Sequence, residues 1–497
     1  MFQAIRLVRR NHGIIGSTTA RETHTLASIV DSLPPAVAKF HDVVAVKGDG
    51  CFVETACGRR LLDMTSGIGT SRRTLICSLA PASDAHSRSA LLCSPGVTST
   101  GHSHPTVVDA IKKQAETLIF AQQNCLPASP ASIELVEELR RVMPSTLSRF
   151  FLCNSGSEAV DNAIKVARSF TGKRNVISVS GGYHGRTYGA MSLTTSKTVY
   201  RQSFGVDPSV VASYPYCLHC PTRKAAGGMG YGVAPCVPGV GGDYASRSCC
   251  GTPLEDLHTL LKTQSHPSET AAIIVEPILG EGGFLVPPPG YLEGLRKVCT
   301  DNDMLLIFDE VQSGVGRTGS WWAHQGLTAV HPDIMIFAKG IASGFPVAGL
   351  ATRHDAFDKM VPGMMGGTYG GSALACAAAC GTLRAIREDD MVANARVRGA
   401  QLMKGLVELS EKYPIAEVRG RGLMVAFEFE SSGLGRHAVP NPAAALVEAG
   451  FDEGLLLITA GIKETVRLLP PLCITGDEVT MALKKLDNAM NVVFART

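Results

Sequence analysis

The sequence predicts an α/β fold: a large, doubly wound and mainly parallel sheet domain plus a smaller α+β domain built from the N- and C-terminal segments. Three short apolar runs, at residues 271–275, 305–308 and 334–338, contain β-branched residues and are typical of strands buried on both faces of a parallel sheet. Strand and helix signals alternate over residues 101–370, which we assign to the large domain. A length of 497 residues suits two or three domains.

The smaller domain is predicted from both ends of the chain. Residues 31–100 contain a hairpin signal, with strand-like residues 43–46 and 51–54 on either side of a Gly-Asp-Gly turn. Short strands mixed with surface helices predict that residues 371–497 complete an α+β domain. The elements expected there are helices at 373–386, 392–413 and 442–454 and strands at 425–429 and 466–469.

Composition and charge exclude two classes of partner. A formal net charge of +3 indicates neither a nucleic acid nor a membrane surface, and no apolar run is as long as a membrane span. The 15 cysteines are scattered, and the sequence has no secretory signal. We therefore expect reduced thiols in an intracellular protein.

The first 30 residues resemble a targeting segment. No acidic residue precedes Glu22, four arginines lie in this stretch, and Phe2, Ile5 and Val8 can share one helical face. This pattern predicts a transit peptide and a location in the mitochondrial matrix. The alternatives are a frayed basic terminus and a cytoplasmic protein. Residues 1–30 are therefore set apart from the predicted fold.

Two internal stretches lack the signals of regular structure. Residues 70–96 are rich in Ser, Ala and Arg, and we expect either a solvent-extruded loop or a translated intron. Residues 217–252 are rich in Gly, Pro and Cys. The cysteines there are Cys217, Cys220, Cys236, Cys249 and Cys250. An adjacent cysteine pair chelates a tetrahedral ion poorly, so buried thiols are favoured over a metal site.

Each of the three apolar runs in the large domain is followed by, or ends beside, an ionisable residue: Glu276, Asp309 and Lys339. Ligands of open α/β sheets bind beyond the carboxyl ends of the strands. A lysine and an acid placed there suit pyridoxal 5′-phosphate, because the lysine can hold its aldehyde as a Schiff base and the acid can keep its pyridine nitrogen protonated. A buried structural ion pair is the simpler interpretation of the pair alone.

The residues before helix 158–171 indicate a phosphate site. Ser155, Gly156 and Ser157 follow a short strand and place free backbone N–H groups at a helix N-terminus, although plain N-capping gives the same pattern. Later in the chain, Tyr183 could stack on a cofactor ring and Arg186 could bind a carboxylate, although a surface turn is equally consistent with the segment.

Further glycine-rich segments supply the remaining candidates. Glu281 brings a second acid to the region of Glu276. Val311 is placed to contact the face of a cofactor ring, Gln312 its hydroxyl, and Thr368 offers a hydroxyl in another such turn.

Together these motifs resemble the class III (ω-amino-acid) aminotransferases of the fold-type I pyridoxal-phosphate superfamily. They are NSGSEAVDNAIKVAR, GGYHGRT, EPILGEGG, FDEVQSGVGRTG, FAKG, GGTYGGSALAC and VRLLPPL, in the family's order, and the resemblance covers the chain from about residue 35. It implies the fold, the cofactor and a homodimer with shared active sites, acting on small amino and oxo acids.

The resemblance also implies residue roles. The cofactor-binding set is Ser155, Gly156, Ser157, Tyr183, His184, Glu276, Asp309, Val311, Gln312, Lys339 and, toward the partner subunit's phosphate, Thr368. For substrates, Arg186 would hold a distal carboxylate and Arg467 an α-carboxylate, while Glu281 would pair with Arg467 when no α-carboxylate is bound. Ile68 would lie in the substrate pocket, and the catalytic residues would be Lys339, Asp309 and Glu281.

Within the family, Tyr183 and the VRLLPPL segment favour 4-aminobutyrate (GABA) transaminases, with 2-oxoglutarate or pyruvate as acceptor. Ornithine and acetylornithine transaminases, which usually carry Phe at the position of Tyr183, and the alanine–glyoxylate type are alternatives. So is a mutase or decarboxylase on the same fold. In the animal branch of the GABA transaminases, a Cys-x-x-Cys motif near the phosphate turn resembles an iron–sulfur binding site. Here Gly156 stands where a Cys-x-x-Cys motif that begins at Cys153 would need its second cysteine, so no cluster is expected.

Overall fold

The structure is a computed structural model, and it describes residues 45–67, 96–123, 128–215, 252–430 and 439–495. The predicted targeting segment, almost all of the stretch 70–96, Ile68 and the five cysteines between 217 and 250 lie outside these residues.

The described residues form fifteen strands and ten α-helices. The strands are β1 (Ala45–Asp49), β2 (Phe52–Thr55), β3 (Arg60–Asp63), β4 (Arg149–Cys153), β5 (Asn175–Val179), β6 (Val211–Ala212), β7 (Thr270–Val275), β8 (Leu305–Asp309), β9 (Ile334–Phe337), β10 (Ala348–Thr352), β11 (Ile415–Arg421), β12 (Met424–Phe429), β13 (Leu455–Leu456), β14 (Ile458–Ala460) and β15 (Thr465–Leu468). The helices are α1 (Pro105–Ala115), α2 (Pro130–Val142), α3 (Gly156–Thr171), α4 (Tyr188–Leu193), α5 (Thr252–Thr263), α6 (Tyr291–Asp301), α7 (Ala373–Glu388), α8 (Met391–Ser410), α9 (Pro442–Asp452) and α10 (Gly476–Phe494).

A seven-stranded sheet in the order β4-β10-β9-β8-β7-β5-β6 is the centre of the molecule. All its neighbouring strands are parallel except β10, which runs antiparallel to both β4 and β9. Every residue of β7, β8 and β9 is buried. Side chains of a strand alternate between faces, so Leu306 and Phe308 join one apolar cluster while Leu305 and Ile307 join another. Burial on both faces explains the nearly continuous apolar runs, and the predicted fold class is confirmed.

Two four-stranded sheets complete the fold, in the orders β1-β2-β3-β13 and β11-β12-β15-β14. The predicted hairpin is present, but β1 extends to Asp49 and the turn lies at Gly50 and Cys51. Gly50 has a φ of 53°, which glycine adopts without a side-chain clash, so the turn forms one to two residues later than the Gly-Asp-Gly pattern predicts. Strand β13 pairs in parallel with β3 and so joins the two ends of the chain in one sheet.

The predicted helices and strands after residue 371 are present with ends shifted by a few residues. The boundaries assigned to the separate domains remain predictions. None of the helices in the described ranges combines the length and the apolar character that a membrane crossing requires.

Candidate functional site

The carboxyl ends of β7, β8 and β9 deliver Glu276, Asp309 and Lys339 to one cavity of about 330 Å³. Parallel strands end at the same edge of a sheet, and this places the three side chains together. The sequence-predicted residues that line the cavity are Ser155, Gly156, Ser157, Tyr183, His184, Arg186, Glu276, Glu281, Asp309, Val311, Gln312 and Lys339.

Lys339 begins a single 3₁₀ turn directly after β9, with a φ of 45°. A non-glycine residue in the left-handed region is uncommon and is held there only when its surroundings over-determine the backbone. Desolvation lowers the pKa of Lys339 below its ordinary value, and the negative charges of Glu281, Glu276 and Asp309 oppose that effect. A lysine with a lowered pKa has more of the neutral amine, which is the form that acts as nucleophile and base.

Asp309 is almost fully buried, with 4% of its surface exposed, and both its carboxylate oxygens accept hydrogen bonds. His184 Nδ1 lies 2.8 Å from Oδ2, and the Val311 backbone N–H donates to Oδ1 at 3.1 Å. A carboxylate only accepts, so we assign the proton of this contact to Nδ1 of His184. These bonds fix the carboxylate at the cavity wall, where it can face a positively charged ring nitrogen.

Glu276 is the second buried acid of the site. It accepts hydrogen bonds from the backbone N–H groups of Tyr183 at 2.8 Å and Gly280 at 2.9 Å. Burial, followed by the nearby negative charge of Asp309, raises the pKa of Glu276 to about 7. Glu276 therefore anchors the Tyr183 segment and exchanges a proton close to neutral pH.

Helix α3 points its N-terminus at the cavity. Its N-cap residue Ser155 accepts a hydrogen bond from the Glu158 N–H, while Gly156 and Ser157 form the first turn beside the cavity. The first N–H groups of a helix have no partner within the helix, and its dipole favours an anion. This arrangement suits a phosphate.

The segment carrying Tyr183 and Arg186 lies directly on that helix end. The Arg186 N–H donates to Ser157 Oγ at 3.2 Å. Gly185 has a φ of 128°, and a Cβ there would lie 2.1 Å from Ser157 Oγ. Only glycine permits this approach, which holds Tyr183 and Arg186 at the cavity.

A narrow space lies between Gly156, at the N-terminus of helix α3, and Val311, where we predict the cofactor ring. A Cβ on Gly156 would meet the Val311 methyl groups at 3.3 and 3.4 Å, so the glycine keeps the space beside Val311 open. The helix N-terminus, the Asp309 carboxylate and the Lys339 amine line the same cavity. This donor set fits pyridoxal phosphate: the helix end would hold its phosphate, Asp309 its ring nitrogen and Lys339 its aldehyde.

Glu281 and Arg467 form a buried ion pair at the cavity's edge. Arg467 donates to the Glu281 carboxylate from Nη1 at 2.6 Å and from Nη2 at 3.2 Å. Arg467 is fully buried and does not itself line the cavity, whereas Glu281 does. Among the described residues, no carboxylate lies within ion-pair distance of the Arg186 guanidinium. The site thus holds one covered and one open arginine.

Two predicted residues lie away from the cavity or beyond the described ranges. Thr368 is exposed and does not line the cavity of its own chain. Ile68 is outside the described residues. Within the described ranges, no group of His, Cys, Asp and Glu side chains is arranged to bind a metal. The cysteines between 217 and 250 lie outside these ranges.

Part of the cavity's surroundings was not predicted from the sequence. Phe345, Pro346 and Val347 line the cavity a few residues after Lys339, and their apolar run was the available signal. The rings of Tyr200 and Tyr183 meet edge-on with their centroids 5.0 Å apart. The guanidinium carbon of Arg186 lies 5.8 Å from the centroid of the Tyr200 ring. Burial raises the pKa of Tyr200 above its ordinary range, so the phenol stays neutral.

Lys197 is another residue with no sequence signal. Burial lowers its pKa, while the charge of Glu281 raises it and that of Arg467 lowers it. It therefore belongs to the electrostatic surroundings of the Glu281–Arg467 pair.

Comparison with known proteins gives one matching family, Aminotransferase class-III, over residues 87–490. The chain is 33% identical to the 4-aminobutyrate aminotransferase GabT of Escherichia coli over 458 residues, which cover 91% of this chain and 94% of GabT. It is also 33% identical to the 5-aminovalerate aminotransferase DavT of Pseudomonas aeruginosa over 456 residues, with coverage of 91% and 94%.

A solved structure of similar fold is the ornithine aminotransferase of Toxoplasma gondii, with a TM-score of 0.74 and 26% identity. The match covers 95% of each chain, and pyridoxal phosphate partly occupies the active site of that structure.

Proposed function

The chain belongs to the class III aminotransferase family and uses pyridoxal phosphate, and from this premise we propose that it moves the amino group of an ω-amino acid to a 2-oxo acid. The proposed donor is 4-aminobutyrate, and the proposed acceptor is 2-oxoglutarate or pyruvate. The observation that carries the proposal is the buried Glu281–Arg467 pair beside the open Arg186.

The two half-reactions of a transaminase take place in one cavity, so the cavity needs both the covered Arg467 and the open Arg186. An ω-amino acid presents a carboxylate far from its amine and has none beside the reacting carbon. With such a substrate, Arg186 binds the distal carboxylate and Glu281 keeps Arg467 neutralised, since an unpaired buried charge is costly. With a 2-oxo acid, Glu281 must release Arg467 so that the arginine binds the carboxylate beside the reacting carbon.

Asp309 and Lys339 have separate roles in the proposed reaction at the carbon that carries the amine. Bound pyridoxal phosphate supplies an electron sink for the carbon that carries the amine. Asp309, fixed by His184, keeps a proton on the ring nitrogen by its negative charge. Lys339 removes and returns the substrate proton, and its lowered pKa favours the neutral amine that this role needs.

The relatives support an ω-amino acid as donor. GabT and DavT are named for 4-aminobutyrate and 5-aminovalerate, two chains whose amine and carboxylate lie at opposite ends. An ornithine or acetylornithine transaminase is the second candidate, because the ornithine aminotransferase structure covers the chain equally well. The hydroxyl of Tyr183, at a position where ornithine and acetylornithine transaminases usually carry Phe, is the feature on which we base the preference.

We also propose that the enzyme is a homodimer in the mitochondrial matrix. The location rests on the arginine-rich first 30 residues. The dimer rests on an exposed apolar group, in which Phe120 contacts Tyr369 with ring centroids 5.6 Å apart and Ile119 is 62% exposed. Thr368 adjoins this group, as expected if it reaches a partner subunit. Light scattering of the purified enzyme tests the oligomer, and microscopy of a tagged full-length chain tests the location.

A screen of single half-reactions tests the substrate. Each amine is added to the cofactor-loaded enzyme without an oxo acid, and the absorption spectrum of the bound cofactor is followed. We expect 4-aminobutyrate and 5-aminovalerate to react at least about tenfold faster than ornithine, N-acetylornithine or alanine, the size of effect that one matched charged contact gives. A faster reaction with ornithine would contradict the proposal. Turnover without any 2-oxo acid would indicate a mutase or decarboxylase.

A further inference from the structure

Two cysteines from opposite ends of the chain meet in the fold. Cys51 Sγ and Cys473 Sγ are 3.8 Å apart, within hydrogen-bond distance for sulfur, although 422 positions separate the residues. Cys51 lies in the β1–β2 turn and is 2% exposed. Cys473 precedes helix α10 and is partly exposed. Neither residue touches the substrate cavity.

The backbone around the pair is closely packed. Gly50 and His102 exchange two backbone hydrogen bonds, at 3.1 and 2.8 Å. Gly101 has a φ of 87°, and a Cβ there would lie 2.8 Å from Cys473 Sγ. The two sulfur atoms are therefore held by three segments that cannot easily separate, so the thiols stay opposed.

We propose that Cys51 and Cys473 are a reversible oxidation site that closes to a disulfide under peroxide. Closing needs the sulfur atoms to approach from 3.8 Å to about 2.05 Å. Side-chain torsions can supply most of such a movement.

The chemistry balances with hydrogen peroxide as oxidant. The Cys473 thiolate attacks one peroxide oxygen, the O–O bond breaks and hydroxide leaves, which makes Cys473 a sulfenic acid. The Cys51 sulfur then attacks the Cys473 sulfur, the S–O bond breaks, and the departing hydroxide takes the Cys51 proton as water. In sum, two thiols are oxidised to one disulfide and one peroxide is reduced to two waters.

The surroundings favour Cys473 as the first residue to react. It is the more exposed of the two thiols. The hydrogen bond with Cys51 lowers the pKa of Cys473, and the positive charge of buried Arg317 acts in the same direction. Cys51 is only 2% exposed, so peroxide reaches it less readily, which makes Cys51 the resolving thiol.

The disulfide would also clamp a segment that supports the active site. The backbone N–H of Leu472 donates to the carbonyl of Ser99 at 2.8 Å. Thr100 in turn contacts Ser343, at the end of the Lys339 turn, through hydrogen bonds of 3.0 and 2.8 Å. Linking Cys51 to Cys473 therefore fixes both sides of the segment 96–101.

Peptide mapping of the cofactor-loaded enzyme tests the site. A small excess of hydrogen peroxide is followed by alkylation, digestion with trypsin and mass spectrometry without reductant. We expect a linked pair of peptides, residues 48–59 joined to 468–484, about 2 Da lighter than the two separate thiol peptides together. Dithiothreitol should separate the pair. Overoxidation of Cys473 without this linked pair would overturn the proposal.

Exposed Cys57 lies in the same tryptic peptide as Cys51 and supplies the matched control. Cys57→Ser should leave the link intact, whereas Cys51→Ser should abolish it and leave Cys473 as sulfenic or sulfinic acid. If Cys57→Ser abolished the link while Cys51→Ser retained it, Cys57 would be the oxidised residue, and the proposed Cys51–Cys473 disulfide would be wrong. Hydrogen exchange of residues 96–104 should slow after oxidation; unchanged exchange in the linked protein would refute the clamping of the segment.

Discussion

Glu281 stands between Arg467 and the cavity. Its carboxylate accepts hydrogen bonds of 2.6 and 3.2 Å from the guanidinium, and only Glu281 of the two residues lines the cavity. A ligand carboxylate can reach Arg467 only after Glu281 moves. Under the proposed function, the pair would therefore act as a gate for α-carboxylates.

Arg467→Lys should weaken the 2-oxo acid half-reaction and spare the ω-amino acid half-reaction. A hydrogen bond to a charged group is worth about 1.5–3 kcal/mol, so the KM for 2-oxoglutarate should rise about 10–100-fold. Steady-state kinetics with both substrates varied measures this. The matched control is Arg419→Lys, which alters another buried arginine that is paired with Glu428 at 2.9 Å and does not line the cavity. A similar rise in Arg419→Lys would assign the effect to general disturbance.

Arg186→Lys should raise the KM for both 4-aminobutyrate and 2-oxoglutarate, by about tenfold or more, because each has a distal carboxylate that a planar guanidinium binds with two parallel hydrogen bonds. Alanine, which lacks that carboxylate, should react at an unchanged rate in the same variant. A selective loss of only one of the two acids would contradict the role given to Arg186.

Lys339→Ala should remove turnover while the phosphate end of the cofactor still binds. Loss of a general acid–base group alone costs about 10²–10⁴-fold in rate. Gly156 and Ser157, which we expect to hold the phosphate, lie on a separate element, helix α3. Turnover and cofactor retention after gel filtration are the two measurements. Lys165→Ala, on the exposed face of helix α3, is the control, and activity of Lys339→Ala within tenfold of wild type would reject the assignment.

Glu276→Gln should change how stability depends on pH in the cofactor-free protein. The pKa of Glu276 is raised from 4.5 to about 7. Below pH 4.5 this residue is protonated in both the folded and the unfolded state, so its ionisation does not reduce the free energy of unfolding. Between these values only the unfolded state releases the proton, so stability falls as pH rises, in total by on the order of 3 kcal/mol. Glutamine does not titrate. The unfolding temperature of wild type relative to the variant should therefore drop between about pH 4.5 and pH 7; parallel curves would exclude the titration.

Deleting residues 70–95 should leave the fold and the activity intact. The residues that flank this stretch already meet: Gly96 N–H donates to the Thr65 carbonyl and Val97 N–H to the Ser66 carbonyl, each at 3.0 Å. Loop-closure cost changes by only about 0.6 kcal/mol per doubling of length. Circular dichroism melting and kinetics of the shortened enzyme test this, and loss of folding would show that the stretch is needed.

Peptide mapping of the native protein addresses the same stretch independently. A junction peptide that joins Gly69 to Val97, with no peptide from 70–96, would show that the stretch is absent from the natural protein. Peptides from within 70–96 would show that it is translated and retained.

The grouping of the candidate site residues in one cavity could be predicted from sequence because these residues follow strong local patterns. Asp309 and Lys339 come directly after buried strands, and Gly156 and Ser157 start a helix, so topology alone brings them together. Lys197 and Tyr200 could not be found in this way, since the segment around them has no periodic pattern and their positions depend on tertiary packing.

Contacts between distant parts of the chain escaped prediction for a related reason. Cys51 and Cys473 belong to a turn and a loop whose local sequences carry no information about each other. The antiparallel insertion of β10 between β4 and β9 was likewise unpredicted, because apolar strand patterns do not encode direction.

The parallel pairing of β3 with β13 sets an order of assembly. Leu62 and Asp63 find their partners, Leu455 and Leu456, only when the ribosome has made most of the chain. Until then β3 presents an unpaired edge, which invites aggregation and chaperone binding. The central sheet ends at Thr352 and has all its strands before that point. A chain cut short after Thr352 would therefore contain every strand of the central sheet and still leave the edge of β3 unpaired, and we expect cellular quality control to remove it.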